Sequence, residues 1–253
     1  MEPKRRFGRL VERPDGRDFP FYDGDPLALT TGRWLAVVAA CVVGFLALVL
    51  IPVADQYTNL VNRVLFPAIP LALFIAFTGR RWTALFRRLG WADVGTMIVF
   101  WLLNAAVSAL VAAVFLGSGV TTAANGAVDG LVDQGPGQVV AFFVGTGIQL
   151  FGEEVFTILP FLAVMYWMTA KAGTSRTTAV VVAWLVTALW FGAAHLPTYG
   201  WNVVQALVGI GIARLVLTLA FIRTKNLAVS TGAHVLNDWS GFAVALVAAS
   251  AQG

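Results

Sequence analysis

Charge is what this sequence has least of. Only 12% of its 253 residues are Asp, Glu, Lys or Arg, about half of what a soluble domain carries. With 58% apolar residues and a mean hydropathy of +0.79, that scarcity excludes an ordinary soluble globule and indicates a multi-span membrane protein. Cysteine occurs once, as Cys41 inside an apolar run, so no intrachain disulfide can form. No internal repeat is visible, which gives an inverted-repeat transporter little support. The net charge of +4 calls for no nucleic acid, because the basic residues lie where membrane topology wants them. The first apolar run starts near residue 33 and is about 20 residues long, too late and too long for a cleavable signal peptide, so it reads as a retained span.

What is abundant is apolar sequence in long runs. Seven segments, at roughly 33–53, 60–78, 94–117, 138–168, 178–197, 201–222 and 228–250, predict an all-α, polytopic membrane bundle of about seven transmembrane helices. Pro67 and Pro70 should kink the second. Residues 1–31 form a polar, mixed-charge stretch with Pro14, Pro20 and Pro26, and read as an extended cytoplasmic tail ahead of a transmembrane domain at 32–253. Arg80, Arg81, Arg87 and Arg88 follow span two, Lys171 and Arg176 follow span four, and Arg223 and Lys225 follow span six. The alternate loops lack such charge, which places the N-terminus in the cytoplasm. Loop 118–137, rich in Gly with Ser, Thr, Asn and Asp, is the longest external connection.

Against this background the ionisable residues inside the spans stand out. They are Glu153, Glu154, His195, Arg214, His234 and Asp238, with Arg63 near a span end. A charge inside a bilayer costs a few kcal/mol or more, and buried charges need partners, so these groups are each other's expected partners. Singly, each could be a cap, a bonded histidine or a structural ion pair. Together they form a chemical set. Phe191 and His195, and His234 and Asp238, are each four residues apart and share a helix face. Glu153 and Glu154 are about 100° apart, so only one can point squarely at a common centre. A carboxylate can take a proton from water. Histidines and Asp238 can orient that water or bind a metal, and a histidine can stabilise an oxyanion.

Glu-Glu on one span, Phe-x-x-x-His on the next and His-x-x-x-Asp on a later one resembles the CPBP family of intramembrane proteases, which includes the CAAX prenyl endopeptidases and the bacterial Abi proteins. The resemblance covers about residues 138–240. It implies a hydrolase in which Glu153 activates water beside Glu154, with His195, His234 and Asp238 completing the catalytic set. It also implies a peptide or membrane-protein substrate, membrane lipids as surroundings, no nucleic acid, and a bacterial plasma-membrane location. A divalent metal such as zinc is an open expectation, with Glu153, His195 and His234 as its ligands; no other cofactor is implied. Two residues depart from the family pattern: Ile158 stands where the first motif usually has Arg and, as a milder change, Asp238 stands where the third usually has Asn. Arg214, deep in span six, is therefore expected to supply the missing positive charge to Glu154 and leave Glu153 free as a base.

Two further functions compete with the peptidase: a non-catalytic scaffold or accessory subunit binding another membrane protein, and a proton-coupled transporter using the Glu pair as a relay. Straight spans would also leave Glu153, His195 and His234 at different depths. A shared site then requires tilt, other span limits, or breaks at Gly152, Pro160, Pro197 or Gly232.

Overall fold

A computed structural model describes residues 7, 8 and 11–251. All regular structure among them is helical. The helices are α1 (Thr31–Leu50), α2 (Gln56–Thr78), α3 (Trp91–Gly117), α4 (Pro136–Tyr166), α5 (Arg176–Ala194), α6 (Gly211–Thr224) and α7 (Leu227–Ser250). Local chemistry sets several starts. Thr30, Ser175 and Asn226 accept a backbone N–H at the heads of α1, α5 and α7, and Asp55 closes a capping box with Thr58 at the head of α2. π-Helical turns extend α4 over Trp167–Lys171 and lead into α6 over Val204–Ile210.

Six of these helical stretches are long and apolar enough to cross a bilayer. Helix α7 has 24 residues, also enough to span at about 1.5 Å each, but His234, Asn237 and Asp238 lower its hydropathy. Helix α4 is the axis of the bundle. In its most apolar window 78% of residues are buried, against 17% for α3, so α3 turns most of its surface outward. One core joins α1, α2, α4 and α5 around Phe66, Phe156 and Phe191. A smaller one joins α3, α6 and α7 around Phe100, Leu217 and Ala233.

Helices α2, α4 and α7 run unbroken through the Pro and Gly residues expected as kinks or breaks. Pro67 and Pro70 lie inside α2, Pro160 inside α4, and Gly232 inside α7. Gly152 and Gly232 serve close approach instead. A Cβ on Gly152 would sit 2.6 Å from Phe66, and one on Gly232 would sit 2.5 Å from Met97 Sδ. Pro197 alone lies at a chain reversal, in the turns after α5.

The polar N-terminal stretch packs into the bundle. Glu2, Lys4, Arg5, Arg6 and Arg9 lie outside the described residues, but Phe19, Phe21, Tyr22 and Leu29 are buried in the larger core. Polar residues follow them in. Glu12 accepts hydrogen bonds from Arg176 (2.8 Å) and Lys225 (2.6 Å), and Arg176 also donates to Asp18 (2.7 Å). The Phe19 ring lies about 5 Å from both cations. The apolar residues of the stretch explain why charge alone misrepresents it as loose.

Burial raises the Glu12 and Asp18 carboxyls, but the hydrogen bonds from Arg176, and from Lys225 to Glu12, outweigh it and hold both below their ordinary values of 4.5 and 3.8. A depressed folded-state pKa gives stability that is present above the ordinary value and lost as pH falls through the folded one. Glu12→Gln is therefore expected to unfold at a lower temperature than the parent above about pH 5, with the two curves converging as pH drops below 4. Thermal unfolding of the purified chain in detergent across that range checks it; a gap independent of pH would contradict the ion network.

Candidate active site

Adjacent glutamates on one helix must diverge, and here they divide between two environments. Glu154 is fully buried between α4, α6 and α7. Arg214 donates to both of its oxygens, Nη1 to Oε1 at 2.6 Å and Nη2 to Oε2 at 2.9 Å. The third guanidinium position, Nε, donates to Thr218 Oγ1 at 3.1 Å. The Phe191 ring lies 4.9 Å from the guanidinium carbon. A planar fork matched to a carboxylate in this way satisfies both charges at once. Ile158, by contrast, is wholly buried in the apolar core. The cation comes from α6, not from one turn along α4.

Glu154 also orients the next residue. His234 Nδ1 lies 2.9 Å from Glu154 Oε1. An ionised carboxylate only accepts, so Nδ1 donates and Nε2 is turned the other way. There it faces Glu153 Oε2 at 3.7 Å and Asp238 Oδ1 at 3.7 Å. Glu153 has a lighter set of contacts than its neighbour. Its Oε1 accepts from Gln149 Nε2, one turn earlier, at 3.0 Å. Asp238 accepts from Asn237 Nδ2 at 2.9 Å, and Asn104 of α3 donates in turn to Asn237 at 3.0 Å.

His195 is the first residue past α5, and its Nδ1 lies 2.8 Å from the Phe191 carbonyl oxygen. A carbonyl cannot donate, so Nδ1 carries a proton and Nε2 is the position left to act. Glu153, His195, Arg214, His234 and Asp238 all line one cavity of about 700 Å³. A second cavity of about 310 Å³, with Phe45, Leu48 and Phe66 in its walls, reaches Glu153 and His195 from the α1–α2 side. The carboxylate–histidine cluster is therefore approached from two directions.

Helix lengths explain how residues at unequal sequence depths meet. With its π-helical turn, α4 runs 36 residues, far beyond the ~20 that a bilayer needs. Its midpoint need not match the midpoint of α5, which ends after 19 residues.

Three contributors were not singled out by the motifs. Gln149 carried a signal, four residues before Glu153 on the same face. Tyr199 carried little, since it lies on an irregular turn. It is buried, its ring centre is 6.5 Å from that of His195, and it lines the larger cavity. Burial first, then the Asp238 and Glu153 carboxylates, push its phenol above the ordinary value, which keeps it a donor. The third contributor is loop 118–137. Asn125–Val128 form part of the cavity wall, and the loop is tied down by Gln205, which donates to Ala123 O (2.8 Å) and accepts from Ala123 N (2.7 Å).

Among the described residues, no three of His, Cys, Asp or Glu are grouped as ligands of one ion. One face of His234 is committed to Glu154 and one nitrogen of His195 to a backbone carbonyl. Both bonds use Nδ1 and leave Nε2 free, as in a metal-bound histidine; what falls short of a three-ligand site is the grouping of the donors, not their hydrogen bonds.

Three motifs that each read as weak alone thus surround one cavity, and a comparison with family models selects the same stretch. Residues 135–240 match the Rce1-like family model. Its description is type II CAAX prenyl endopeptidase Rce1-like, and the match agrees with the CPBP resemblance of the motifs. The matched range contains Glu153, Glu154, His195, Arg214, His234 and Asp238, and excludes α1 to α3. No curated protein and no solved structure matches the chain.

Proposed function

We propose that this integral membrane protein is a peptidase that hydrolyses a peptide bond in or beside the bilayer, with Glu153 as the base that activates water. The observation that carries the reading is the division of labour between the glutamates. Arg214 takes up Glu154, while among the described residues no Lys or Arg pairs with Glu153, which faces His234 Nε2 at 3.7 Å beside the cavity. That gap suits a water bonded to both groups. A carboxylate free of an arginine partner is a better proton acceptor than one held by it.

Each group then has a task. Glu153 Oε2 takes a proton from the water as its oxygen attacks the scissile carbonyl carbon. Glu154, fixed by Arg214, holds His234 so that Nε2 faces the water. Tyr199, or His195 when its ring carries both protons, donates to the oxyanion that develops. The proton on Glu153 passes to the leaving amine as the C–N bond breaks. The smaller, apolar-walled cavity provides a route by which a membrane-embedded chain reaches the same carboxylate.

A missing motif arginine at Ile158 favours a non-catalytic scaffold, and the Arg214–Glu154 pair offsets that loss. The test is direct. The purified full chain in lipid nanodiscs is expected to release new N-termini from N-acylated peptides with randomised apolar sequences, read by mass spectrometry. Failure to cleave any of them would count against the reading.

A further inference from the structure

Helix α3 lies outside the stretch that the family model matches, residues 135–240, yet it reaches the cavity. Asn104 and Ser108, four residues apart on one face of α3, both line the cavity that holds Glu153, His195 and His234. Asn104 is only 1% exposed. Its Nδ2 donates to Asn237 Oδ1 at 3.0 Å, and Asn237 Nδ2 donates to Asp238 Oδ1 at 2.9 Å. The direction of this relay is set at its far end. A carboxylate only accepts, so Asn237 must turn its NH2 to Asp238 and its oxygen to Asn104. Asn104 must then answer with its own NH2, which leaves its oxygen for another donor. That Oδ1 is buried and has no hydrogen-bond partner. An asparagine at 238 could donate as readily as accept, and would leave the direction open.

A buried acceptor without a donor is costly, and a donor entering from the cavity would remove the cost. Peptide carries such a donor at every residue but proline. Ser108, one turn on, is exposed, and its hydroxyl can donate to a carbonyl. Four residues of helix rise about 6 Å. That is close to the ~6.4–6.8 Å at which an extended chain repeats its groups along one edge. We infer that Asn104 and Ser108 form a backbone clamp for an extended peptide. Asn104 Oδ1 accepts one peptide N–H, and Ser108 donates to a carbonyl on the same edge. Main-chain groups are common to all sequences, so the clamp sets the path of the peptide and not its sequence. The relay that aims Asn104 ends at Asp238, 3.7 Å from His234 Nε2, so the clamped peptide is held in register with the carboxylate–histidine cluster. That the peptide is a substrate rests on the peptidase reading; the clamp does not.

The experiment uses the full chain in nanodiscs and a fluorophore-labelled, N-acylated heptapeptide amide of alanine and valine. In a companion series each peptide N–H in turn is replaced by an ester oxygen. Binding is measured in the Glu153→Gln form, where no turnover intervenes. One ester is expected to bind about tenfold more weakly than the all-amide peptide, the effect of leaving one buried acceptor unpaired. With Asn104→Leu added, that ester and the amide are expected to bind alike, a non-additivity that a general structural defect would not produce. Ser108→Cys gives an independent reading, because Ser108 is exposed and Cys41 is buried. It is expected to form a disulfide with a peptide carrying cysteine beside the sensitive N–H, and not with one carrying cysteine at the far end. Equal binding of every ester overturns the clamp, as does an ester penalty that survives Asn104→Leu. Where Asn104→Leu does not assemble, the disulfide decides, and crosslinking at no position or at all positions alike overturns the clamp. A chain that binds none of the peptides overturns it too. Cleavage by the parent with no ester penalty would sink the clamp and spare the peptidase. A penalty at one position with no cleavage would do the reverse.

Discussion

Replacing Glu153 by Gln is expected to reduce peptide cleavage by about 10²–10⁴-fold, the usual worth of a general base, while the protein still assembles. The amide keeps the size of the carboxyl and can still bond to Gln149, but it cannot accept the proton of an attacking water. The local structure asks little of its charge. Glu153 contacts a neutral amide at 3.0 Å and faces a histidine at 3.7 Å, and no guanidinium is left unpaired by the change. Loss of rate with little change in KM would mark it as a residue acting in the transition state. Turnover within a few-fold of the parent would remove Glu153 from the chemistry.

Arg214→Leu is expected to act on stability, with a cost of about 3–5 kcal/mol, because it leaves Glu154 charged and buried without its partner. Both side chains are 0% exposed, so water cannot take over. The harm should spread to the site, since Glu154 also fixes His234. Adding Glu154→Gln to Arg214→Leu is expected to recover part of the loss by removing the unpaired charge. Arg214→Lys should fall between, having one ammonium in place of a two-pronged fork. Thermal unfolding in detergent measures all four proteins. An Arg214→Leu chain as stable as the parent would contradict the pairing.

How far these arrangements were legible in the sequence depended on the cost of charge in lipid. Glu154 and Arg214 are sixty residues apart, yet in spans so poor in charge each had few candidate partners, and their pairing follows from that scarcity. The same reasoning brought His234 and Asp238 toward the glutamates. Helices α1 to α7 were readable from apolar runs because a bilayer rewards length and hydropathy directly. What the pattern hid were features built on packing. Gly152 and Gly232 looked like breaks and are close contacts with Phe66 and Met97. Phe19, Phe21 and Tyr22 sat in a stretch dominated by charge, and Phe19 lies against Arg176 and Lys225 of the Glu12 network, whose members are far apart in sequence. Tyr199 lies on a turn with no periodicity to place it. Arg63 lies near a span end in the sequence, and only its close contact with Gly145 and its buried Nε show it held inside the bundle.

The central claim is that Glu153 acts as a base on water and forms no covalent bond to the peptide. A single turnover in ¹⁸O-labelled water, with enzyme in excess over peptide, tests it most directly. The account predicts one ¹⁸O in the new carboxyl of the released peptide, none in the side chain of Glu153, and no labelled product from the Glu153→Gln form on the same timescale. Label in the Glu153 carboxyl, with unlabelled product from the first turnover, would show a covalent acyl intermediate and contradict it.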